Sequence, residues 1–229
     1  MKLPFLSTLL LLTPAWVTLA EPPAEPFNGK DLTNWEIRGK ADSKWTVGEA
    51  SMSKSKPTTL EVKPGGNALV NVVAGHGQSH DIVSKDKYGD IKLEVEVMVP
   101  KGSNSGIYLM GNYEVQVFDS FGVEKMRDAD MGALYSAAPP KVNASKAPGE
   151  WQKYVIEFRA PKFDAAGKKT ANAKFVKVEL NGTVIHENVE MKGVTGGSLD
   201  SKESATGPLM FQGDHGAVAY RNIKITPLK

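Results

Sequence analysis

The chain has 229 residues, a formal net charge of +2 and no cysteine. The nearly balanced charge argues against a nucleic-acid partner, because such partners require a strongly basic surface. The lack of cysteine excludes disulfides, thiolate-bound metals and a lipid-modified cysteine.

The first 20 residues have the pattern of a secretory signal peptide. Lys2 gives a positive start, residues 3–12 are apolar, and the segment ends at Ala20 before the polar stretch EPPAEP. Pro4 and Pro14 interrupt the apolar stretch, which is too short to span a bilayer comfortably. We therefore expect cleavage after Ala20 and an exported protein, periplasmic or extracellular, with no membrane span.

The rest of the chain has the length of one domain. Residues 21–26 are proline-rich and are expected to form a mobile tether, and residues 27–229 suit a single β-sandwich or barrel. A domain of this size buries enough surface to be stable without disulfides. Trp35 and Trp45 each lie among alternating apolar and polar residues, and we interpret both as core residues.

Several strands are predicted from alternating patterns. Short strands are expected over residues 59–62 and 68–73, and a long one over 91–99, where Ile, Leu and Val alternate with mostly charged residues. That alternation indicates one buried and one solvated face. Asn181-Gly182 separates two alternating runs, and this dipeptide favours a two-residue hairpin turn. About a dozen short strands and no long helix predict an all-β fold, a two-sheet antiparallel β-sandwich of the jelly-roll type.

The segment 104–122, NSGIYLMGNYEVQVFDSFG, carries the most chemical information. It predicts two strands, 107–110 and 113–118, joined by a tight turn. The stretch 119–150 that follows is rich in glycine and proline and contains one predicted strand, 133–136. A long loop of this kind usually covers a site or binds a ligand.

Polar side chains occupy one face of the second strand. Alternate residues of a strand share a face, so Glu114 and Gln116 point to the same side. Asp119 has the wrong parity to join them unless a β-bulge adds one residue before it. We predict such a bulge, and with it a row of Glu114, Gln116 and Asp119 on the concave face of a sheet.

The chain resembles the 3-keto-disaccharide hydrolase domain family in the identity and order of its sequence motifs. That family is related in fold to concanavalin A-like lectins and glucanases. The matching stretches cover residues 27–225 in order: FNGKDLTNW, YGDIKLEVEVMVPKGSNSGIYL, YEVQVFDS, GALY, GEWQKYVIEFRAPKFD, LNGTVIHEN and GPLMFQGDHGAVAYRNIKI. The resemblance implies an exported enzyme that cleaves glycosides already oxidised to a ketone at carbon 3.

A ketone at carbon 3 makes a specific chemistry accessible. It acidifies the hydrogen on carbon 2, so a modest base can remove it, and the enolate can expel the leaving group from carbon 1. Addition of water then gives net hydrolysis. The site needs a base, a group that holds the enolate oxygen and a proton donor for the departing sugar.

Three residues are the catalytic candidates: Glu114, Asp119 and His215. The spacing of Glu114, Gln116 and Asp119 is similar to the E-x-D-x-x-E pattern of retaining glucanases, but the middle residue is neutral and the last is shorter. Retaining hydrolysis uses two carboxyl groups about 5 Å apart, so these replacements argue against it. His215 lies in a glycine-rich turn, and histidine is the side-chain type best suited to proton transfer near neutral pH. The resemblance favours it over His186, which could be a core residue.

Seven residues are candidates for substrate binding: Asn104, Ser105, Tyr108, Gln116, Tyr135, Gln212 and Arg221. Six of them have a structural alternative: Asn104 and Ser105 could cap a turn, Tyr108 and Tyr135 could pack in the core, Arg221 could form an ion pair, and Gln116 could order a loop. A divalent cation held by Glu114, Asp119 and His215 would suit an enolate, although no spacing identifies a metal site. The expected partner is a keto-glycoside. A noncatalytic carbohydrate-binding domain and a conventional retaining glucanase are the alternative functions, and the sequence does not determine the oligomeric state.

Overall fold

The computed structural model describes residues 23–40 and 42–229, so the predicted signal peptide lies outside the described residues. Part of the predicted tether is attached to the domain. Ala24 N–H donates to Ile225 O over 2.7 Å, and Ile225 N–H donates back to Ala24 O over 2.8 Å. This end of the tether is therefore held against the final strand rather than mobile.

Fourteen strands account for the regular structure of the described residues. They are β1 Trp35–Ile37, β2 Trp45–Met52, β3 Leu60–Asn71, β4 Ile82–Tyr88, β5 Ile91–Met98, β6 Asn104–Leu109, β7 Tyr113–Phe118, β8 Gln152–Arg159, β9 Lys162–Phe163, β10 Lys169–Ala171, β11 Lys174–Leu180, β12 Thr183–Glu190, β13 Gly207–Phe211 and β14 Val218–Pro227. A 3-10 turn, Arg38–Lys40, is the only helical element in the described residues. Within the described part of the chain, no helix has the length and apolar character needed to cross a membrane.

The strands form two large antiparallel sheets. The five-stranded sheet has the order β1-β4-β13-β6-β7, the seven-stranded sheet has the order β12-β11-β8-β5-β14-β3-β2, and β9 pairs with β10 separately. This confirms the predicted all-β, two-sheet antiparallel sandwich.

The hydrophobic core lies between the two large sheets. In β5 the alternate residues from Ile91 to Val97 are buried, whereas the intervening residues from Lys92 to Glu96 are partly exposed. The predicted pattern of one buried and one wet face is therefore confirmed.

Stacked aromatic rings join the two sheets. Trp35 of β1 stacks on Phe211 of β13 with ring centroids 5.3 Å apart, and Phe211 stacks on Tyr220 of β14 at 3.9 Å. Trp45 of β2 packs against Tyr220 at 6.4 Å. Both tryptophans are buried core residues, as predicted.

The Asn181-Gly182 hairpin is confirmed. Leu180 of β11 pairs with Thr183 of β12, and the two turn residues have φ values of 52° and 81°. Positive φ at both central positions is what a type I′ turn requires, and Asn and Gly tolerate it best.

The two short strands predicted at 59–62 and 68–73 belong to one longer strand, β3. Its register with β2 shifts at Glu49, which leaves residues 64–67 as an inserted bulge. Gly66 permits this close approach, because a Cβ atom there would lie 2.1 Å from the Glu49 backbone nitrogen.

Candidate functional site

The β6–β7 pair carries the polar row on the face of the five-stranded sheet that points away from the core. The register of the pair has no shift from one end to the other, so the predicted bulge is wrong. Phe118 takes the place expected for Asp119, which lies beyond the end of β7. The Asp119 carboxylate instead accepts hydrogen bonds from Gly102 N–H at 2.8 Å and Phe121 N–H at 3.3 Å. Asp119 orders the neighbouring loops rather than joining the row.

A pocket of about 150 Å³ opens over this face. Seven of the ten site residues predicted from the sequence line it, together with two glycines: Asn104, Tyr108, Glu114, Gln116, Tyr135, Gln212 and His215, with Gly196 and Gly197. We call it the Glu114 pocket. Glu114 is its only lining carboxylic acid among the described residues.

Two further predicted site residues lie away from the pocket. Ser105 is fully buried on the core side of β6, where its hydroxyl donates to Gln212 O at 2.7 Å and contacts Tyr220 Oη at 2.8 Å. Arg221 lies on the seven-stranded sheet. It donates from Nε to Glu96 Oε2 at 2.7 Å, and its guanidinium lies 4.0 Å from the centre of the Trp151 ring. Ser105 therefore positions the Gln212 backbone, and Arg221 is a structural ion-pair and cation–π residue.

Glu114 is buried, with 2% of its surface exposed. Burial disfavours the charged carboxylate and raises the pKa of Glu114 to about 8; the nearby Tyr108 hydroxyl opposes the rise, and the charges of Asp81 and Asp214 add to it. Gly106 on the neighbouring strand leaves room for the carboxyl group. A carboxyl group titrating near neutral pH inside a pocket is suited to proton transfer.

Several polar atoms of the pocket lack a partner among the residues that the structure describes. Asn104 Oδ1 and Gln212 Oε1 are buried without a hydrogen bond among the described residues. Gln116 uses its Oε1 to accept Val117 N–H at 3.1 Å, which leaves the Nε2 donors of Gln116 for another partner. Because buried polar atoms normally find partners, the two acceptors are available for hydrogen bonds from a ligand or from water.

Tyr108 forms one wall of the pocket. Its hydroxyl donates to Gly196 O at 3.0 Å and accepts a long bond of 3.4 Å from Gln212 Nε2. Burial raises the pKa of Tyr108 far above its usual value, so the hydroxyl stays protonated at neutral pH. Tyr108 acts here as a neutral hydrogen-bonding group.

A second wall comes from residues 195–199, a loop that contains two adjacent glycines. The loop is fixed by backbone bonds from Thr195 N–H to Asn112 O and from Leu199 N–H to Gly111 O. Arg38 adds bonds from its guanidinium to Gly197 O at 3.0 Å and Ser198 O at 2.8 Å, and pairs with Asp81 at 2.9 Å. No short motif marks Arg38 or Asp81; the adjacent glycines at 196 and 197 were the only local signal.

Residues 132–135 run along the outer edge of β7. Three backbone bonds join them to the strand: Gly132 N–H to Gln116 O at 2.8 Å, Gln116 N–H to Ala133 O at 2.8 Å, and Tyr135 N–H to Glu114 O at 3.2 Å. In place of the strand predicted at 133–136, the structure has isolated bridges at Leu134. This pairing brings Tyr135 to the pocket.

The turn that carries His215 is held by buried polar groups. Asn71 Nδ2 donates to Gly213 O at 2.7 Å and to Gly216 O at 3.0 Å, and Gly213 N–H donates to Asp81 Oδ1 at 3.0 Å. Gly213 is required here, because a Cβ atom would lie 2.1 Å from His80 O. The turn therefore presents His215 to the pocket in a fixed position.

His215 belongs to a cluster that could hold a cation. His215 Nδ1 lies 2.5 Å from Asp214 Oδ1, and its ring packs edge-on against His76 with centroids 4.5 Å apart. One ligand atom from each of His76, Asp214 and His215 lies within 4.8 Å of the others. The expected set of Glu114, Asp119 and His215 does not come together, because Asp119 lies outside the pocket.

His186 is a core residue, the alternative that the sequence left open. It is buried, and its Nε2 lies 2.8 Å from Gly132 O. Burial lowers the pKa of His186, which keeps the ring neutral. Its contact with Gly132 supports the segment that covers β7.

The sequence and the fold are both similar to those of known proteins. The family model of the 3-keto-alpha-glucoside-1,2-lyase-like domain matches residues 23–226. The chain belongs to this family. A curated relative, the 3-keto-disaccharide hydrolase of Bacteroides thetaiotaomicron, is 28% identical over 160 residues, which is 57% of this chain and 50% of the relative. The match therefore spans half the length of that relative.

Solved structures share the fold of this 3-keto-alpha-glucoside-1,2-lyase-like domain. A candidate glycosyl hydrolase from Parabacteroides distasonis has a TM-score of 0.71 and 28% identity, with 90% of this chain and 84% of that chain covered. A second candidate glycosyl hydrolase from the same organism has a TM-score of 0.61 and 20% identity, with 90% and 94% covered. The second likeness concerns the fold alone.

Proposed function

We propose that the protein cleaves the glycosidic bond of 3-keto-glycosides, including 3-keto-disaccharides. The observation that carries the proposal is Glu114, a buried carboxyl group with a pKa raised to about 8 that stands alone in a pocket of unpaired hydrogen-bonding groups. Membership of the 3-keto-alpha-glucoside-1,2-lyase-like family and the named activity of the Bacteroides relative support it.

The proposed reaction begins with removal of the hydrogen on carbon 2. The electron pair of that C–H bond forms the enolate with the ketone at carbon 3. Collapse of the enolate forms the double bond between carbons 1 and 2 and breaks the bond from carbon 1 to the leaving oxygen, which takes up a proton. Addition of water across the double bond places hydroxyl on carbon 1 and hydrogen on carbon 2, so the net change is hydrolysis.

The residues of the Glu114 pocket fit these steps. Glu114 is the proposed base, since its raised pKa gives a carboxylate strong enough to remove an activated C–H proton. The Nε2 group of Gln116 would donate to the enolate oxygen. His215, in contact with Asp214, would move a proton to the leaving sugar. Asn104 Oδ1 and Gln212 Oε1 would accept hydrogen bonds from sugar hydroxyls, and the half-buried ring of Tyr135 would form a wall against the sugar.

Retaining hydrolysis of ordinary glycosides does not suit this arrangement. That mechanism needs a nucleophile and an acid about 5 Å apart, one on each side of the bond. Among the described residues lining the pocket, Glu114 has no second carboxyl partner, because Gln116 is neutral and Asp119 lies outside. A route that draws its activation from the ketone needs only one carboxylate.

Incubation with 3-keto-trehalose and 3-keto-glucosides beside their unoxidised parents tests the proposal. We expect turnover of the keto sugars alone. Cleavage of the parents would establish a conventional glycosidase instead, and binding of the keto sugars without turnover would establish a carbohydrate-binding domain. Turnover in deuterium oxide should place deuterium on carbon 2, and its absence would favour direct displacement at carbon 1.

We also propose that the enzyme acts outside the cytoplasm after removal of residues 1–20. The charged start, the apolar run and the small residue at the cleavage point support this. Expression in a bacterial host followed by N-terminal sequencing of the periplasmic fraction should show Glu21 as the first residue. Retention of Met1 in a cytoplasmic fraction would overturn it.

A further inference from the structure

The cluster of His76, Asp214 and His215 offers a ligand set for a transition metal. Two imidazole nitrogens and one carboxylate oxygen lie within 4.8 Å of one another. A tetrahedral ion with bonds of about 2.0–2.2 Å needs ligand atoms roughly 3.4 Å apart. Side-chain movement of about 1–2 Å would therefore close the set around an ion.

The backbone that carries these ligands is fixed in advance. Gly77 N–H donates to Asp214 O at 2.6 Å, which ties the loop of His76 to the turn of Asp214 and His215. The turn is itself held by Asn71 and Asp81 through the buried bonds described above. Only the three side chains have to rearrange, and their surfaces are partly or fully open to solvent, so an ion can reach them.

The composition of the set indicates which ions it favours. Imidazole nitrogen suits zinc and its first-row neighbours, whereas calcium and magnesium prefer sites built from oxygen ligands alone. Three protein ligands that leave one position open are typical of catalytic rather than structural zinc sites. Two histidines and one carboxylate therefore point to Zn²⁺ or a related divalent transition ion.

The cluster also adjoins the ligand pocket. His215 lines the Glu114 pocket, whose wall includes the unpaired Oε1 of Gln212, a side chain that is 8% exposed. A water molecule or sugar hydroxyl on the metal would be a strong donor for such an acceptor. Gln212 and His215 therefore line the same pocket.

We propose that His76, Asp214 and His215 bind one divalent transition-metal ion at the rim of the Glu114 pocket. On the proposed function, the open position of this ion would take an oxygen of the keto sugar and stabilise negative charge there as a Lewis acid. His215 would then serve as a metal ligand, and solvent water would supply the proton to the leaving sugar in its place. The binding itself does not depend on that function.

Calorimetric titration of the tag-free protein with Zn²⁺, in the absence of sugar, tests the site. We expect one ion per chain and no comparable binding of Ca²⁺ or Mg²⁺. His76→Ala should weaken Zn²⁺ binding by about 100-fold or more, since loss of a second-shell partner alone weakens metal sites 10- to 100-fold. Asp214→Asn should weaken it in the same direction. His80→Ala is the matched control, because His80 is an exposed histidine nearby that is not in the cluster.

Co²⁺ gives a second readout. Visible d–d bands should appear on titration of the wild-type protein and of His80→Ala, and should be lost in His76→Ala. His76 is exposed, so its replacement should leave the unfolding temperature unchanged. Absence of Zn²⁺ binding, binding that survives in His76→Ala, or a preference for Ca²⁺ would each overturn the site. None of these results depends on cleavage of a keto sugar, so the proposed function stands or falls separately.

Discussion

Gly106 and Glu114 lie on adjacent strands, and a Cβ atom at Gly106 would come within 2.2 Å of Glu114 Oε1. The same atom would lie 2.9 Å from the Tyr108 ring. The absence of a side chain at position 106 therefore sets the space in which the Glu114 carboxyl group rests. A glycine within a strand usually marks such a close approach.

Replacement of Gly106 by alanine should displace the Glu114 carboxyl group while leaving the strand pairing intact. A misplacement of about 1 Å can cost about 100-fold in rate, and we expect a loss of that size in kcat/KM for a 3-keto-glucoside. Gly193→Ala is the control, because a Cβ atom there meets nothing within 4 Å. Equal activity in the two variants would show that the position of Glu114 does not limit turnover.

The pH dependence of activity should report Glu114. A base must be unprotonated, so kcat/KM should rise with pH and level off above about 8, the raised pKa of Glu114. Glu114→Gln should remove this rise and lower activity by about 100- to 10,000-fold, the usual contribution of a general base. A wild-type profile that falls through the same pH range would identify Glu114 as an acid instead.

The same raised pKa has a consequence for stability. Between pH 4.5 and about 8 the folded protein holds a proton on Glu114 that the unfolded chain releases, so this group makes unfolding easier as pH rises. Glu114→Gln lacks this effect. Its free energy of unfolding, relative to wild type, should increase by up to about 1.4 kcal/mol per pH unit in that range. Denaturant titrations at pH 5 and pH 8 measure the difference, and a constant offset would contradict the raised pKa.

Arg38 should matter for substrate binding although it does not line the pocket. It fixes the carbonyls of Gly197 and Ser198 in the wall, so Arg38→Ala should loosen the wall and raise KM more than it lowers kcat. Lys141→Ala is a suitable control, because Lys141 forms an exposed ion pair with Glu187, and such pairs contribute little. Unchanged KM in Arg38→Ala would mean that the backbone bonds of the loop suffice.

Asp119→Asn should retain most activity. Asp119 accepts only backbone hydrogen bonds outside the pocket, and an asparagine oxygen can keep one of them. We expect kcat/KM within about tenfold of wild type, far less than the loss expected on removal of a base. A loss of kcat/KM as large as that in Glu114→Gln would show that Asp119 takes part in catalysis.

The sequence predicted the sandwich and its hairpin at Asn181 because these depend on local patterns. Alternation of apolar and polar residues shows which face of a strand is buried, and it placed Glu114 and Gln116 together without error. The alternation could not predict where the Asp119 side chain points. A residue just beyond the end of a strand no longer follows the alternation of faces, and here two backbone N–H groups bind the carboxylate.

Arg38 and Asp81 were missed for a different reason. Their contacts with Gly197 and Gly213 join segments more than 130 residues apart in the chain, and no spacing rule reports such a pairing. Arg221 was misplaced because the motif at the C-terminal end of the chain spans both sheets. Gln212 lies just after β13 of one sheet, whereas Arg221 lies in β14 of the other.

Residues 132–135 also limit which substitutions the pocket can tolerate. By pairing with β7 it covers an edge that would otherwise be open to strand addition by another chain. Substitutions that alter its backbone would therefore risk aggregation as well as loss of Tyr135. Substitutions that change the substrate range should be better tolerated in residues 195–199. This loop forms one wall of the pocket but does not cover a sheet edge.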